Sequence, residues 1–119
     1  MINLIKSYWL FITIALMAII ATLSLWPVAS LPQVPGSDKT HHFIAYGALM
    51  FPVALARPKH WLWIVIVFAC FSGAIELIQP YVNRWGEWLD MAANVTGLVC
   101  GIILAKIVDY FSLYKENKS

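Results

Sequence analysis

Polar side chains recur at helical spacing in three otherwise apolar stretches of the chain. The three sets are Asp38, His42 and Tyr46; Ser72, Glu76 and Gln79; and Asp90, Asn94, Gly97 and Gly101. Residues three or four apart share one face of a helix, so each set predicts one stripe. Carboxylates and an imidazole can transfer protons or bind a cation, and two nearby cations, Lys39 and Arg84, suit a phosphate or carboxylate.

The charges of these stripes do not balance. Four carboxylates, on Asp38, Glu76, Glu87 and Asp90, face two fixed cations. Either a buried carboxyl stays protonated, or His42 is cationic, or a metal or a cationic ligand completes the balance. The members of the candidate binding site are Asp38, Lys39, His42, Tyr46, Glu76, Gln79, Arg84, Asp90 and Asn94.

Each polar residue also has a structural interpretation. Asp38 and Asp90 can cap helices, since an aspartate at an N-cap accepts hydrogen bonds from free backbone amides. Asn94 can form an interhelical hydrogen bond, and Tyr46 can be an interfacial aromatic. A helix bundle needs no ionisable group such as Glu76 for stability, and such groups inside a membrane are usually functional.

The sequence gives no catalytic assignment and predicts neither a metal nor another cofactor. His42, Glu76 and Asp90 have the chemistry to bind a divalent cation. However, no close-spaced ligand pair such as HxxxH or HxxE is present, and no nucleophilic triad or phosphatase motif occurs. Whether the protein is an enzyme stays open at this point.

The composition predicts a membrane protein. The 119 residues are 61% hydrophobic and 12% charged, which is about half the charged fraction of an ordinary soluble domain. A helix needs about 20 apolar residues to span a bilayer. We expect an all-α, single-domain bundle over residues 1–119 with four transmembrane helices, at about 8–26, 40–56, 61–79 and 90–108.

The basic residues predict the orientation of the four spans. Six of the eight share one side, namely Lys6, Arg57, Lys59, Lys106, Lys115 and Lys118. Lysine and arginine collect on the cytoplasmic side, so both termini are expected in the cytoplasm of a bacterial inner membrane. All three polar stripes then lie at the outer-leaflet boundary.

Gly97 and Gly101 form a GxxxG motif on the last predicted helix. Small residues at this spacing let two helix backbones approach closely. We expect this face to pack within the chain against the third helix, where Ala69, Ser72 and Gly73 offer a matching surface.

The order of these residues resembles the pattern of the VanZ-like membrane protein family. The resemblance rests on Asp38-Lys39-x-x-His42-Phe43-x-x-Tyr46, on Glu76-x-x-Gln79, and on Arg84 followed by Asp90-x-x-x-Asn94-x-x-Gly97. It implies a small helical protein of the cell envelope, with these residues as signature positions. The founding member belongs to glycopeptide-resistance gene clusters and raises teicoplanin resistance, so the resemblance carries a family-level link to antibiotic resistance.

Three functions are compatible with the sequence. The first is binding or processing of a lipid headgroup or a lipid-linked envelope precursor. The second is non-enzymatic binding or exclusion of amphipathic ligands such as lipoglycopeptide antibiotics. The third is a structural or assembly role. Membrane lipids are the expected partners, no nucleic-acid-binding signature is present, and the sequence does not determine the oligomeric state.

Overall fold

A computed structural model describes residues 2–26, 38–82 and 88–118, and within these ranges the chain forms helices and no strand. The helices are α1 (Ile2–Ser7), α2 (Trp9–Ser24), α3 (Asp38–Ala56), α4 (Trp61–Ile78) and α5 (Trp88–Lys118), with a short 3-10 turn at Gln79–Val82. The predicted all-α class is therefore confirmed.

The first predicted helix is divided at Tyr8. Helical hydrogen bonds continue across that residue, because the Tyr8 amide donates to the Leu4 carbonyl at 3.1 Å and the Ile12 amide donates to the Tyr8 carbonyl at 3.0 Å. α1 and α2 therefore follow one another almost without interruption, and the helical segment starts six residues earlier than predicted.

The middle helices lie close to their predicted positions. α3 begins at Asp38 and continues through Pro52 to Ala56. It stops at Arg57, whose φ of 49° is a left-handed conformation that does not continue a right-handed helix. α4 ends at Ile78, one residue before the predicted boundary.

The predicted end of the last helix at residue 108 is wrong. α5 continues to Lys118, ten residues further. The prediction ended the helix where the continuous apolar run ends. Polarity alone does not stop a helix, and residues 109–118 contain neither glycine nor proline.

Two helices are long and apolar enough to cross a membrane, over Trp61–Ile78 and Leu89–Lys115. Only 17% and 28% of their most apolar segments are buried inside the protein, whereas the core helix of a soluble protein would be mostly buried. The other apolar helices, Trp9–Ser24 and Thr40–Ala56, are shorter. The fold therefore supports a membrane protein, and the number of spans stays a prediction.

α3 is the central element of the bundle. Its buried side chains include Tyr46, Leu49, Met50 and Val53. These pack in one core cluster with residues of the other long helices, Ile20 on α2, Phe68 and Ile75 on α4, and Leu98 and Ala105 on α5. α3 thus positions α4 and α5, together with the polar residues that these helices carry.

The GxxxG motif of α5 packs against α3, and the predicted packing against α4 is wrong. A Cβ atom on Gly97 would lie 2.4 Å from the Phe43 carbonyl oxygen, and one on Gly101 would lie 2.6 Å from the Gly47 carbonyl oxygen. Gly73 on α4 instead meets the flexible end of Met91, at 3.5 Å from an added Cβ. The partner is α3 because Gly47 removes a side chain there, and two facing glycines allow the closest approach.

An ion pair joins the beginning of the chain to α5. Lys6 Nζ lies 3.0 Å from Asp109 Oδ1, and Arg57 Nη2 lies 4.0 Å from Asp109 Oδ2. The end of α1, the end of α3 and the later part of α5 therefore meet. His42 lies in the first half of α3 and Asp90 in the first half of α5, so both are far along their helices from this contact.

Candidate functional site

A chain of hydrogen bonds connects α3, α5 and α4. The ring nitrogen His42 Nδ1 lies 2.9 Å from Asn94 Oδ1. The Asn94 amide donates from Nδ2 to Ser72 Oγ at 2.6 Å, and Ser72 also hydrogen-bonds to the side chain of Tyr46. Asn94, Ser72 and Tyr46 are almost fully buried, where a polar group without a partner would be costly. The network therefore fixes these side chains.

The orientation of Asn94 determines which nitrogen of His42 carries a hydrogen. Asn94 Nδ2 is engaged with Ser72 Oγ, so the oxygen of the amide faces the histidine. A carbonyl oxygen can only accept a hydrogen bond, so His42 Nδ1 must donate. In the neutral imidazole, the lone pair then belongs to Nε2 and is available for a proton or a ligand.

His42, Glu76 and Asp90 meet at the end of this network. One potential ligand atom from each lies within 4.8 Å of the others. The three residues belong to α3, α4 and α5, and Glu76 also interacts electrostatically with Tyr46. A nitrogen base and two carboxylates thus converge from separate helices, which gives the site both proton-transfer and cation-binding chemistry.

Burial differs among the three converging groups. Asp90 is only 6% exposed, while His42 and Glu76 are half-buried. Asp90 lies in the first turn of α5, where a negative charge is favoured by the free backbone amides and the helix dipole. The helix thus helps to stabilise the carboxylate that is most removed from solvent.

Gln79 links α4 to the end of α2. Its Nε2 donates to the Ser24 carbonyl at 3.1 Å, one of the terminal carbonyls that a helix leaves without an intrahelical partner. The side chain is 1% exposed. Its Oε1 is buried and accepts no hydrogen bond from any part of the protein that the structure describes. Gln79 therefore anchors α2, and its Oε1, one helical turn after Glu76, has no donor among the described residues.

A family model described as VanZ/LLP1 matches residues 2–109. The matched part is most of the 119-residue chain and contains α1 to α4 and most of α5. The chain belongs to the VanZ/LLP1 family. A comparison with curated proteins found no match, and neither did a comparison with solved structures.

The structure brings together most of the VanZ-like signature positions that it describes. His42, Tyr46, Glu76, Asp90 and Asn94 belong to one connected cluster. Gly97 lies on the helix-packing face between α5 and α3. The stripe positions predicted from helical spacing in this VanZ/LLP1 protein are therefore close in space.

Three positions of the candidate site cannot be placed at side-chain level. Asp38 and Lys39 are the first residues of α3, as the stripe from Asp38 required, but their side chains lie outside the described part. Arg84 lies in the undescribed range 83–87, together with Glu87. Their membership of the site stays a prediction.

Two residues of the candidate site have roles that the sequence did not reveal. Ser72 belongs to the predicted α4 stripe but connects Asn94 to Tyr46, so it is part of the network itself. Ser24 contributes only its backbone carbonyl to Gln79. No pattern in the residue types could reveal a backbone contact of this kind.

Proposed function

We propose that this VanZ/LLP1 protein binds or processes a lipid headgroup, or a lipid-linked envelope precursor, at the outer side of the bacterial inner membrane. In this proposal the chain spans the membrane four times, with both termini in the cytoplasm. The reacting or binding groups are those of the converging cluster, supplemented by Lys39 and Arg84.

The distribution of charge supports this orientation. Lys6, Arg57 and Asp109 meet at one end of the bundle, and the loop after Arg57 adds Lys59. Basic residues of this kind favour the cytoplasmic side. His42, Glu76 and Asp90 belong to the other end, which would then lie at the depth of the outer headgroups.

The observation that carries the proposal is the convergence of His42, Glu76 and Asp90 on a buried hydrogen-bond network. Ionisable groups at membrane depth are costly and are usually retained for function. The two carboxylates can accept hydrogen bonds from headgroup hydroxyls or amines, and His42 can exchange a proton. A phosphate would require cations, and the candidates are Lys39, which precedes His42, and Arg84, which lies between Glu76 and Asp90 in the sequence.

Binding can be tested with native mass spectrometry of the detergent-purified protein. The protein is first incubated with one of two probes: vesicles of phosphatidylglycerol and phosphatidylethanolamine, or a polyprenyl-phosphate-linked sugar. We expect the wild type to retain bound lipid. Glu76→Gln should lower the lipid occupancy at least about tenfold, because a charge-assisted hydrogen bond contributes roughly 1.5–3 kcal/mol. Product analysis of the same mixtures distinguishes processing from binding.

Thr96→Ala is the matched control on α5. Thr96 is exposed and its hydroxyl donates to the Ala92 carbonyl of its own helix, so lipid occupancy should equal that of the wild type. Equal retention by wild type, Glu76→Gln and Asn94→Ala would contradict the proposal and show that the bound lipid lies elsewhere.

The structural alternative has one observation in its favour. Gln79 and Asn94 each hydrogen-bond to another helix, as residues that lock a bundle do. Under this alternative, loss of cellular function in Glu76→Gln or Asn94→Ala would follow loss of thermal stability. A variant that keeps its melting temperature and loses lipid occupancy would exclude it.

A further inference from the structure

We propose that His42, Glu76 and Asp90 bind one divalent transition-metal cation, of which Zn²⁺ is the representative probe. The three residues are far apart in sequence and provide one ligand atom each from α3, α4 and α5. This metal site shares its residues with the proposed lipid site, but its existence does not require that a lipid binds.

The distances suit one small ion. Each ligand atom lies within 4.8 Å of the other two. Zinc bonds to imidazole nitrogen and carboxylate oxygen are about 2.0–2.2 Å long, so ligands of a tetrahedral ion lie about 3.3–3.6 Å apart. Side-chain rotations that bring the three groups about 1 Å closer would complete this geometry.

The orientation of His42 is independent support for a ligand at this place. Metal-binding histidines donate their second ring N–H to a carbonyl, a carboxylate or a water, which fixes the tautomer and the ring. His42 Nδ1 donates to Asn94 Oδ1 in this way, and Asn94 is itself held by Ser72. In this proposal Nε2 is the ligand atom of His42, and Asn94 acts as a positioning residue.

A buried acceptor, Gln79 Oε1, belongs to the residue that follows Glu76 by one helical turn. Gln79 is 1% exposed, and among the described residues no group donates to its Oε1. Buried acceptors of this kind are usually satisfied by an ordered water or an ion. Gln79 follows Glu76 by one helical turn, and a metal bound by three protein ligands keeps an open position for water.

Charge and ligand type select the class of cation. In their ionised forms Glu76 and Asp90 carry two negative charges, which match the two positive charges of a divalent ion, and a neutral His42 adds none. An imidazole ligand favours zinc-like transition metals over Mg²⁺ and Ca²⁺, which prefer oxygen ligands only. Each of the three helices supplies a single ligand, which is why no close-spaced ligand pair marks this site in the sequence.

The test is metal binding by the full chain in lipid-free detergent. ZnCl₂ and, separately, MgCl₂ are titrated into chelator-treated protein, and bound metal is measured after desalting. We expect one Zn²⁺ per chain and much weaker Mg²⁺ binding. His42→Ala, Glu76→Gln and Asp90→Asn should each lose the bound zinc, whereas His60→Ala, an exposed histidine in the turn before α4, should retain it.

A second set of variants separates positioning from folding. Asn94→Ala should weaken zinc affinity about 10–100-fold, as loss of an outer-shell partner does. Asn94→Asp should restore most of it, because a carboxylate also accepts the Nδ1 hydrogen. The exposed thiols of Cys70 and Cys100 are other possible zinc ligands, so a Cys70→Ser/Cys100→Ser variant should bind zinc like the wild type.

X-ray absorption at the zinc edge identifies the ligands directly. One imidazole with an oxygen shell and no sulfur is the expected spectrum. Absence of stoichiometric zinc in the folded wild type, or a sulfur-containing shell, would overturn the proposal. Lipid binding measured in the presence of a chelator keeps the two proposals separate, since either can fail while the other succeeds.

Discussion

Asn94 is the residue that connects the three stripes, because its amide has one group for each neighbouring helix. Oδ1 accepts from His42 on α3, and Nδ2 donates to Ser72 on α4. An asparagine is suited to this place, since a carboxylate would add charge and a hydroxyl is too short to reach both partners.

The Asn94–Ser72 contact should be measurable as a coupling energy. Interhelical hydrogen bonds in membrane proteins contribute roughly 0.6 kcal/mol on average and up to about 1.7. We therefore expect a double-mutant cycle of Asn94→Ala and Ser72→Ala to give a coupling of about 0.5–1.5 kcal/mol in reversible unfolding from mixed micelles. Thr96→Ala paired with Ser72→Ala should be additive. Additive energies for the first pair would show that the bond does not stabilise the folded state.

The packing of α5 on α3 sets the position of Asn94 at the scale of the helices. The Gly97 backbone packs against the Phe43 carbonyl, and the Gly101 backbone packs against Gly47 and Met50. Asn94 lies one turn before Gly97 on α5, and Phe43 adjoins His42 on α3. Close approach of these two backbones is therefore what brings the amide within 2.9 Å of the imidazole.

Alanine at Gly97 should separate the two helices. Its Cβ would lie 2.4 Å from a backbone oxygen that cannot rotate away. We expect Gly97→Ala to lower the free energy of unfolding by about 1–3 kcal/mol, the usual cost of overpacking, and to weaken zinc binding as well. Micelle unfolding and metal titration provide the two measurements.

Gly73→Ala is the matched control for this prediction. Its Cβ would meet only the end of the Met91 side chain at 3.5 Å, and alanine favours a helix over glycine by roughly 1 kcal/mol. Stability should stay equal or rise. A larger loss in Gly73→Ala than in Gly97→Ala would indicate that α5 packs principally on α4.

Helix positions and the candidate stripes could be predicted because apolar runs and helical periodicity are local properties. The beginning of α4 at Trp61 agrees with the predicted boundary, and α3 begins at Asp38, two residues before the predicted boundary at residue 40. The partner of the GxxxG face could not be predicted, since Gly47 on α3 and Gly73 on α4 offer similar small surfaces. The sequence placed His42, Glu76 and Asp90 in one candidate site, but the distances between them depend on how the three helices pack.

At the scale of the whole molecule, the charged contacts and the candidate site are separated along the bundle. Asp109 binds Lys6 and approaches Arg57 at one end, while Asp90 belongs to the cluster at the other. This separation is what a protein with a cytoplasmic side and an outer functional side would show.

Cysteine labelling in intact cells tests the proposed topology. In a Cys70→Ser/Cys100→Ser background, we expect Glu87→Cys to react with a membrane-impermeant maleimide, because it would lie outside. Lys59→Cys should react only after permeabilisation. Reaction of both positions on one side would contradict a membrane crossing by α4, and the reverse pattern would invert the orientation.

Because α5 packs on α3, the order in which the helices are synthesised also determines when the bundle can fold. α3 and α4 are synthesised before Gly97, so Gly47 and His42 have no packing partner on α5 until that later helix has been made. Asp90 and Asn94 arrive with that same helix. A nascent chain interrupted before α5 therefore leaves the Gly47 surface of α3 uncovered and lacks two members of the cluster.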